Sequence, residues 1–282
     1  MSTGFPDADA RDDFNRVQRQ GRLDRMRDRA RRRPPEAGDM LVFEDVTRAL
    51  GRVGQRDLGH QTVDITTIVG TVDRAKGFDR QFRPTNLHTR QRWERLAAAS
   101  RRGVALPAVD LYRVGLLHFV RDGHHRVSVA RALGQNTIDA VVTEVLTAEA
   151  PPAQASPADL PLIDHRRVFR ERVPLPPTAL ARIELHDGWD YALLAEGVEA
   201  WGYRRSLEDG GLVGRTELAR RWFEEEYEPV VTTLRAAGLV GRRTETEAYL
   251  RLGAERFRLL RTHAWTDEVI ERLRRLPPGS RR

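Results

Sequence analysis

The residues best suited to chemistry form one short loop: Asp122, Gly123, His124, His125 and Arg126. An apolar run at 117–120 precedes this loop and apolar residues at helical spacing follow it through Leu133, so the loop is predicted to join a strand to a helix. A helix N-terminus presents unpaired N–H groups, glycine lets the backbone approach a ligand, and arginine offers a forked donor that suits phosphate. The loop therefore predicts a phosphate site, the alternative being an ordinary turn with a solvated arginine.

The run DGHHRVSVARALG at 122–134 resembles the central motif of the ParB/sulfiredoxin superfamily. The corresponding loop is Gly-Glu-Arg-Arg in ParB proteins, where it holds the phosphates of CTP, and Gly-Cys-His-Arg in sulfiredoxins, where it holds ATP. In the free-serine kinases of the superfamily it is Asp-Gly-His-Thr-Arg, which is nearest to this chain. The resemblance covers about residues 60–146. It implies that Gly123 and the N–H groups of His124 and His125 hold the phosphates of CTP or ATP, with Mg²⁺, and that Arg126 neutralises them.

A second charged segment spans 73–84, directly after a predicted strand at 61–72. Members of the superfamily place an arginine-bearing loop after the first strand, near the nucleotide. The resemblance therefore implies that Arg74, ahead of Arg80 and Arg83, contacts the phosphates. Without the resemblance these three arginines would be interpreted as solvated.

Composition excludes several classes of protein. The chain has 282 residues, of which 40% are hydrophobic and 32% charged, and no run approaches the roughly 18 apolar residues of a membrane helix. The N-terminus lacks an apolar signal core, so we expect a cytoplasmic protein without a membrane partner. Cysteine is absent, which excludes disulfides, thiolate metal sites and cysteine catalysis, including sulfiredoxin chemistry.

The formal net charge of +7 and the pI near 10.5 permit contact with DNA or another polyanion. Lys76 is the only lysine, and such a skew towards arginine is also typical of GC-rich genomes. The charge is therefore compatible with a DNA partner and does not require one.

The order of apolar patterns predicts an α+β fold. We expect a small mixed-sheet core of ParB/sulfiredoxin type, ordered β–α–β–β–α–β with flanking helices, and then an all-α C-terminal domain. Residues 54–60 are expected to be a polar connection. The expected divisions are a polar arginine-rich arm (1–38), the nucleotide-binding core (39–147), a Pro-rich linker (148–178) and the helical domain (179–282). The last of these resembles a helical domain of unknown function that accompanies ParB-like cores.

The first functional hypothesis is a nucleotide switch related to chromosome-partitioning proteins, in which hydrolysis closes a homodimer on DNA. Two departures weaken that analogy. The Glu-Asn-x-Gln-Arg segment typical of ParB does not follow the motif, and no convincing helix-turn-helix does either. A DNA-binding or scaffold protein with a vestigial pocket is a further hypothesis.

The other hypothesis is an enzyme, a small-molecule kinase like the free-serine kinases. Phosphoryl transfer needs a base for the substrate proton and usually Mg²⁺. The catalytic candidates in the motif are Asp122, His124 and His125, and spacing does not choose between Asp122 and the other carboxylates near the core: Asp64, Asp73 and Asp79. No clustered carboxylate pair would hold two metals, so no resident metal site is predicted and a nuclease ranks lower.

Overall fold

The structure is a computed structural model that describes residues 4–31, 40–73, 77–152 and 156–275. The chain divides into two compact units, Met1–Pro161 and Leu162–Arg282. The first unit holds a mixed sheet with helices and the described part of the second is helical, so the α+β class predicted from the sequence is confirmed.

Six strands form one mixed sheet in the described part of the first unit. They are β1 (Leu41–Val42), β2 (Arg52–Asp64), β3 (Ile68–Thr71), β4 (Val109–Val114), β5 (Leu117–Asp122) and β6 (Thr137–Thr147). The spatial order is β1-β3-β5-β4-β6-β2. β4 pairs antiparallel with β5, and β2 with β6, whereas the other neighbours are parallel. The strands β4 and β5 lie side by side at the centre of the sheet. The motif loop follows β5 and therefore lies near the middle of the sheet, at the ends of its strands.

The prediction of a polar connection at 54–60 is wrong, because this stretch lies within β2 and pairs with β6. β2 is an edge strand, and most of its side chains are exposed or half-buried. An edge strand with few buried positions lacks the apolar alternation that marks a strand in the sequence. The register with β6 shifts near Gly54 and Gly59, which further hides the pattern.

The helices of the first unit cover the sheet and one another. They are α1 (Pro6–Ala30), α2 (Phe43–Leu50), α3 (Arg90–Arg101) and α4 (His124–Ala132), and α5 (Leu160–Arg172) begins at its end. Trp93 on α3 is fully buried, and its Nε1 donates a 2.8 Å hydrogen bond to Ser128 Oγ on α4. This bond satisfies the one polar atom of a large buried side chain and fixes α3 against the helix that follows the motif loop.

The N-terminal segment, expected as a separate arm, contains α1, which packs on α3. Phe14 is fully buried, and its ring meets that of Trp93 edge to face with centroids 5.6 Å apart. The buried Asp13 accepts hydrogen bonds from Arg101. The alternation of Asp and Arg along this segment therefore includes residues that anchor α1 to the core.

The helical unit carries its own apolar core around Trp222 and Tyr227. Its helices are α6 (Pro177–Leu180), α7 (Gly188–Asp209), α8 (Arg215–Trp222), α9 (Glu228–Ala236), α10 (Glu245–Leu260) and α11 (Asp267–Arg274). A π-helical turn, Phe223–Tyr227, separates α8 from α9 just before Pro229, where the sequence predicts a break. Thr244 and Glu247 exchange hydrogen bonds and form a capping box at the start of α10.

Candidate functional site

The motif loop ends at Gly123, which takes a φ of +106° and begins α4 directly. The first backbone bond of the helix runs from the Val127 N–H to the Gly123 carbonyl, so the N–H groups of His124, His125 and Arg126 lie ahead of it. Within the described chain no side chain caps this end, and the first turn holds no acidic residue. Three backbone donors and the positive end of the helix dipole therefore converge on one point.

Gly123 is required by packing as well as by its backbone angle. A Cβ atom at this position would lie 2.6 Å from Val109 Cγ1 on β4. Val109 is fully buried, so it has no free space to move into. The glycine thus brings the start of α4 into contact with the central strand, which no other residue would allow without a shift.

Arg126 stabilises the motif loop through hydrogen bonds to the protein itself. Its guanidinium donates to the carbonyl oxygens of Pro107 (2.9 Å) and Ala108 (2.5 Å) and to Asp122 Oδ2 (2.5 Å). These bonds tie the segment entering β4 to both sides of Gly123. The side chain predicted to neutralise phosphates is therefore engaged with the protein, and its first role is to hold the loop in shape.

His124 lies in an aromatic pocket formed by the second charged segment. Its Nε2 is 2.6 Å from Thr71 Oγ1, and its ring centroid is 6.3 Å from those of both Phe78 and Phe82. Burial lowers the pKa of His124, against the opposing charges of Asp122 and Asp73. The imidazole is therefore neutral at neutral pH and acts as a hydrogen-bonding group.

His125 is half-buried beside its neighbour, with its ring edge to face on Phe78 at 5.1 Å. Burial lowers the pKa of His125 to about 4, and the charges of Arg92 and His124 act in the same direction. Both motif histidines are thus uncharged donors or acceptors near pH 7, and the helix end gains no cation from them.

Arg92 is a residue of this site that the sequence reasoning missed. It lies on the exposed side of α3, one position before Trp93, and it is close enough to His125 to lower the pKa of that residue. It forms no hydrogen bond or ion pair with another residue of the described ranges. One feature of the sequence could have identified Arg92. Trp93 marks the buried face of α3, so its neighbour Arg92 must lie on the exposed side of the helix. Arg92 is thus an accessible positive charge near His125, whereas the guanidinium of Arg126 is engaged with the protein.

The structure separates the arginines predicted in the 73–84 segment. Arg74 lies outside the described residues. Arg80 is exposed, and Arg83 is mostly buried in ion pairs with Asp24 of α1 and Asp79. Arg83 therefore fastens the segment to α1 and does not point at the helix end.

Of the four predicted carboxylates, two are engaged with the protein and two are exposed near His124. Asp64 accepts from the backbone and hydroxyl of Thr66, and Asp79 pairs with Arg83. Asp73 and Asp122 are exposed, and both act electrostatically on His124. Only these last two lie beside the amino end of α4, so they are the carboxylates that could accompany a phosphate there.

These residues fit a phosphate group with a divalent cation. The N–H groups and Arg92 favour the anion, while Asp73 and Asp122 would repel it unless a cation lay between them. In the described ranges no three His, Asp or Glu side chains are grouped so as to hold a metal ion by themselves. Mg²⁺ commonly reaches such sites through one or two carboxylates together with the phosphates of the nucleotide.

A polar cleft of about 680 Å³ lies further along α4, between this helix and α1. Its polar lining includes Arg16, Gln20, Gln81, Arg131, Gln135 and Asn136. Arg131 donates to the carbonyl oxygens of Ile65 and Ile68 and stacks over Phe82, 5.0 Å from the ring centroid. Phe82 thus lies between His124 and Arg131, which lines the cleft. The cleft itself was not predicted.

Comparison with protein-family models finds no match, and searches of curated proteins and of solved structures find no significant similarity. The resemblance to the ParB/sulfiredoxin superfamily therefore remains a prediction that rests on the motif residues. None of the helices in the described ranges has the length and apolar character needed to span a bilayer.

Proposed function

We propose that the protein binds a nucleoside triphosphate, CTP or ATP with Mg²⁺, at the amino end of α4. The observation that carries the proposal is the start of this helix at a positive-φ glycine, with no side-chain cap among the described residues. An uncapped helix end with several converging N–H groups is a ready anion site. The sequence resemblance supports the choice of a nucleotide over other anions.

Each side chain around the helix end has a role in this proposal. The backbone donors of His124 and His125 would bind phosphate oxygens, and Arg92 would contribute the charge. His124, held by its hydrogen bond to Thr71, would contact the outer phosphate. Arg126 would keep the loop in its binding shape through its bonds to Pro107 and Ala108.

The consequence of binding that the resemblance favours is a nucleotide switch associated with DNA, and the net charge of +7 is compatible with that partner. A small-molecule kinase is the second candidate, favoured by the position of Asp73 and Asp122 beside His124. In the kinase, one of these carboxylates would accept the proton of a substrate hydroxyl. A scaffold protein with a vestigial pocket is favoured by the engagement of Arg126 with the protein itself.

The test is calorimetric titration of the full chain with CTP, ATP and ADP, each with Mg²⁺ at low salt, in the presence and absence of DNA. Arg92→Ala should weaken binding by about tenfold or more, because a charge-assisted hydrogen bond contributes about 1.5–3 kcal/mol. Arg95→Ala is the matched control, since Arg95 is an exposed arginine on the same helix. If no nucleotide binds, or if both variants behave alike, the proposed site is wrong.

Selectivity then separates the candidates. Selective CTP binding that is coupled to DNA would favour the switch. Selective ATP or ADP binding, with phosphate transferred to a small hydroxyl compound, would favour the kinase. In that case either Asp73→Asn or Asp122→Asn should abolish transfer, because one of these two carboxylates accepts the proton of the substrate hydroxyl.

A further inference from the structure

Helix α7 of the helical unit carries an apolar stripe that faces solvent. Four large residues on one side of this 22-residue helix are mostly exposed: Trp189 (72%), Leu193 (56%), Tyr203 (65%) and Leu207 (67%). Ala200 and Glu196 complete the stripe, and both are exposed. The opposite side of α7 packs into the core of the unit through residues such as Leu194, Val198 and Trp201. An exposed apolar stripe of this length marks an interaction surface.

The intervals between successive residues of the stripe are the same whether they are counted from its N-terminal or from its C-terminal end. From Trp189 to Leu207 the steps are four, three, four, three and four residues. A second α7 laid antiparallel on the first would therefore place Trp189 against Leu207 of the other copy and Leu193 against Tyr203 of the other copy. Such self-complementarity is the requirement of a twofold-symmetric interface, in which the same surface is used by both copies.

Charge along one edge of the stripe is complementary in the same arrangement. Asp190 and Arg204 are fourteen residues apart, about four helical turns, so they lie on the same side of α7 at opposite ends. In the antiparallel pair Arg204 of one copy comes within one turn of Asp190 of the other. Neither residue has an ion-pair partner among the residues that the structure describes, so each is available for the pair.

The surroundings of these two charges favour a partner of opposite sign. Burial raises the pKa of Asp190, and the neighbouring carboxylates of Asp187 and Glu247 raise it further, against the opposing charge of Arg243. Arg204 lies near Arg256 and His263, and its charge contributes to their lowered pKa values after burial itself. Each of the two residues therefore has a like charge nearby, and a second copy would bring an opposite charge to each.

Glu196 is the one charge inside the stripe, and a residue outside the stripe balances it. The pKa of Arg172 on α5 is raised first by its hydrogen bond to Glu199 and also by the charge of Glu196. The negative charge at the centre is thus partly compensated within each copy. It does not forbid the approach of a second helix.

We infer that α7 is a homodimer interface, on which a second copy of this chain packs its own α7 antiparallel. Fully covered aromatic residues bury about 150–250 Å² each, so Trp189 and Tyr203 contribute roughly 200–340 Å² per copy. With the two leucines this remains below the roughly 800 Å² per partner of a standard interface. The dimer should accordingly be weak, with a dissociation constant in the micromolar range.

The test is sedimentation equilibrium of the full chain across the micromolar range. Leu193→Glu and Leu207→Glu should each raise the dissociation constant by about tenfold or more, since both leucines lie within the stripe. Leu116→Glu is the matched control, because Leu116 is a leucine of the first unit that is still more exposed (79%). Circular dichroism melting of each variant shows whether the fold is kept. A monomer at all concentrations, or a dimer that both stripe variants leave unchanged, would overturn the inference.

Direction and register can be tested separately. Asp190→Arg and Arg204→Asp should each weaken the dimer, and the double variant should restore it. Since the chain has no cysteine, Leu193→Cys mixed with Tyr203→Cys should cross-link on oxidation. Leu193→Cys alone should not, because in the antiparallel pair its two copies are about 15 Å apart along the helices. Self-cross-linking of Leu193→Cys would overturn the antiparallel arrangement.

Discussion

Replacing Gly123 by alanine probes the joint between the motif loop and the sheet. The new Cβ would lie 2.6 Å from Val109 Cγ1, and φ is +106°. A left-handed backbone costs an L-residue about 1–2 kcal/mol, and overpacking a filled core costs about 1–3 kcal/mol. We therefore expect Gly123→Ala to lower the free energy of unfolding by about 2–5 kcal/mol. At about 2–4 °C per kcal/mol, the melting temperature of the first unit would fall by roughly 4–20 °C.

A double-mutant cycle separates the two contributions. Val109→Ala removes the Cγ1 methyl group at 2.6 Å but leaves Val109 Cβ at 3.0 Å and Arg126 Nε at 3.1 Å. In that background Gly123→Ala should therefore cost less than in the wild type, approaching the backbone part of about 1–2 kcal/mol. The measurement is urea unfolding combined with hydrogen exchange of peptides covering 109–134. Equal cost of Gly123→Ala in both backgrounds would refute the packing argument. A cost below about 0.5 kcal/mol in the wild-type background would refute both parts.

Three further changes test other features of the first unit. Ser128→Ala leaves the buried Trp93 Nε1 without its acceptor and should cost about 1–3 kcal/mol in urea unfolding; Ser100→Ala is a control on an α3 serine that is not buried. Phe14→Ala should cost about 3–5 kcal/mol, because Phe14 is fully buried against Trp93, and an unchanged melting curve would show that α1 does not support the core. Burial, with the charge of Arg113, lowers the pKa of His118 from 6.5 to about 4. As the pH falls, His118 is protonated in the unfolded chain before it is protonated in the folded chain, so the free energy of unfolding should fall by up to about 3 kcal/mol between pH 6.5 and 4. His118→Gln should flatten that part of the profile of stability against pH. An unaltered profile would show that His118 does not cause this loss of stability.

The local structure around the motif could be predicted from the sequence because short-range patterns determine it. The apolar run at 117–120 lies in β5 and a helix follows the motif, as expected. The loop predicted over 122–126 is shorter than expected, because Asp122 belongs to β5 and α4 already begins at His124. The helical spacing of apolar residues, with Gly123 before the helix and Gly134 after it, predicts this strand, turn and helix from the local sequence alone. The capping box at Thr244 was predictable for the same reason.

The arrangement of side chains around the motif could not be predicted, because distant partners decide it. Arg126 is bound by carbonyls nearly twenty residues earlier, and Arg83 is held by Asp24 of α1. Arg92 comes near His125 because the bond from Trp93 to Ser128 holds α3 against α4. Nothing in the local sequence distinguishes an arginine that braces a loop from one that is free to bind a ligand.

The most direct test of the central claim is a titration of the ¹⁵N-labelled chain with CTP and ATP, each with Mg²⁺, followed by the backbone amide signals in TROSY spectra. A phosphate site at the amino end of α4 predicts saturable shifts for at least one nucleotide, largest at the amides of residues 123–127 and smaller along the 77–83 segment. Arg92→Ala should move the saturation point to higher nucleotide concentration without changing which amides shift. The absence of shifts with either nucleotide, or shifts confined to residues away from the amino end of α4, would contradict the proposed phosphate site.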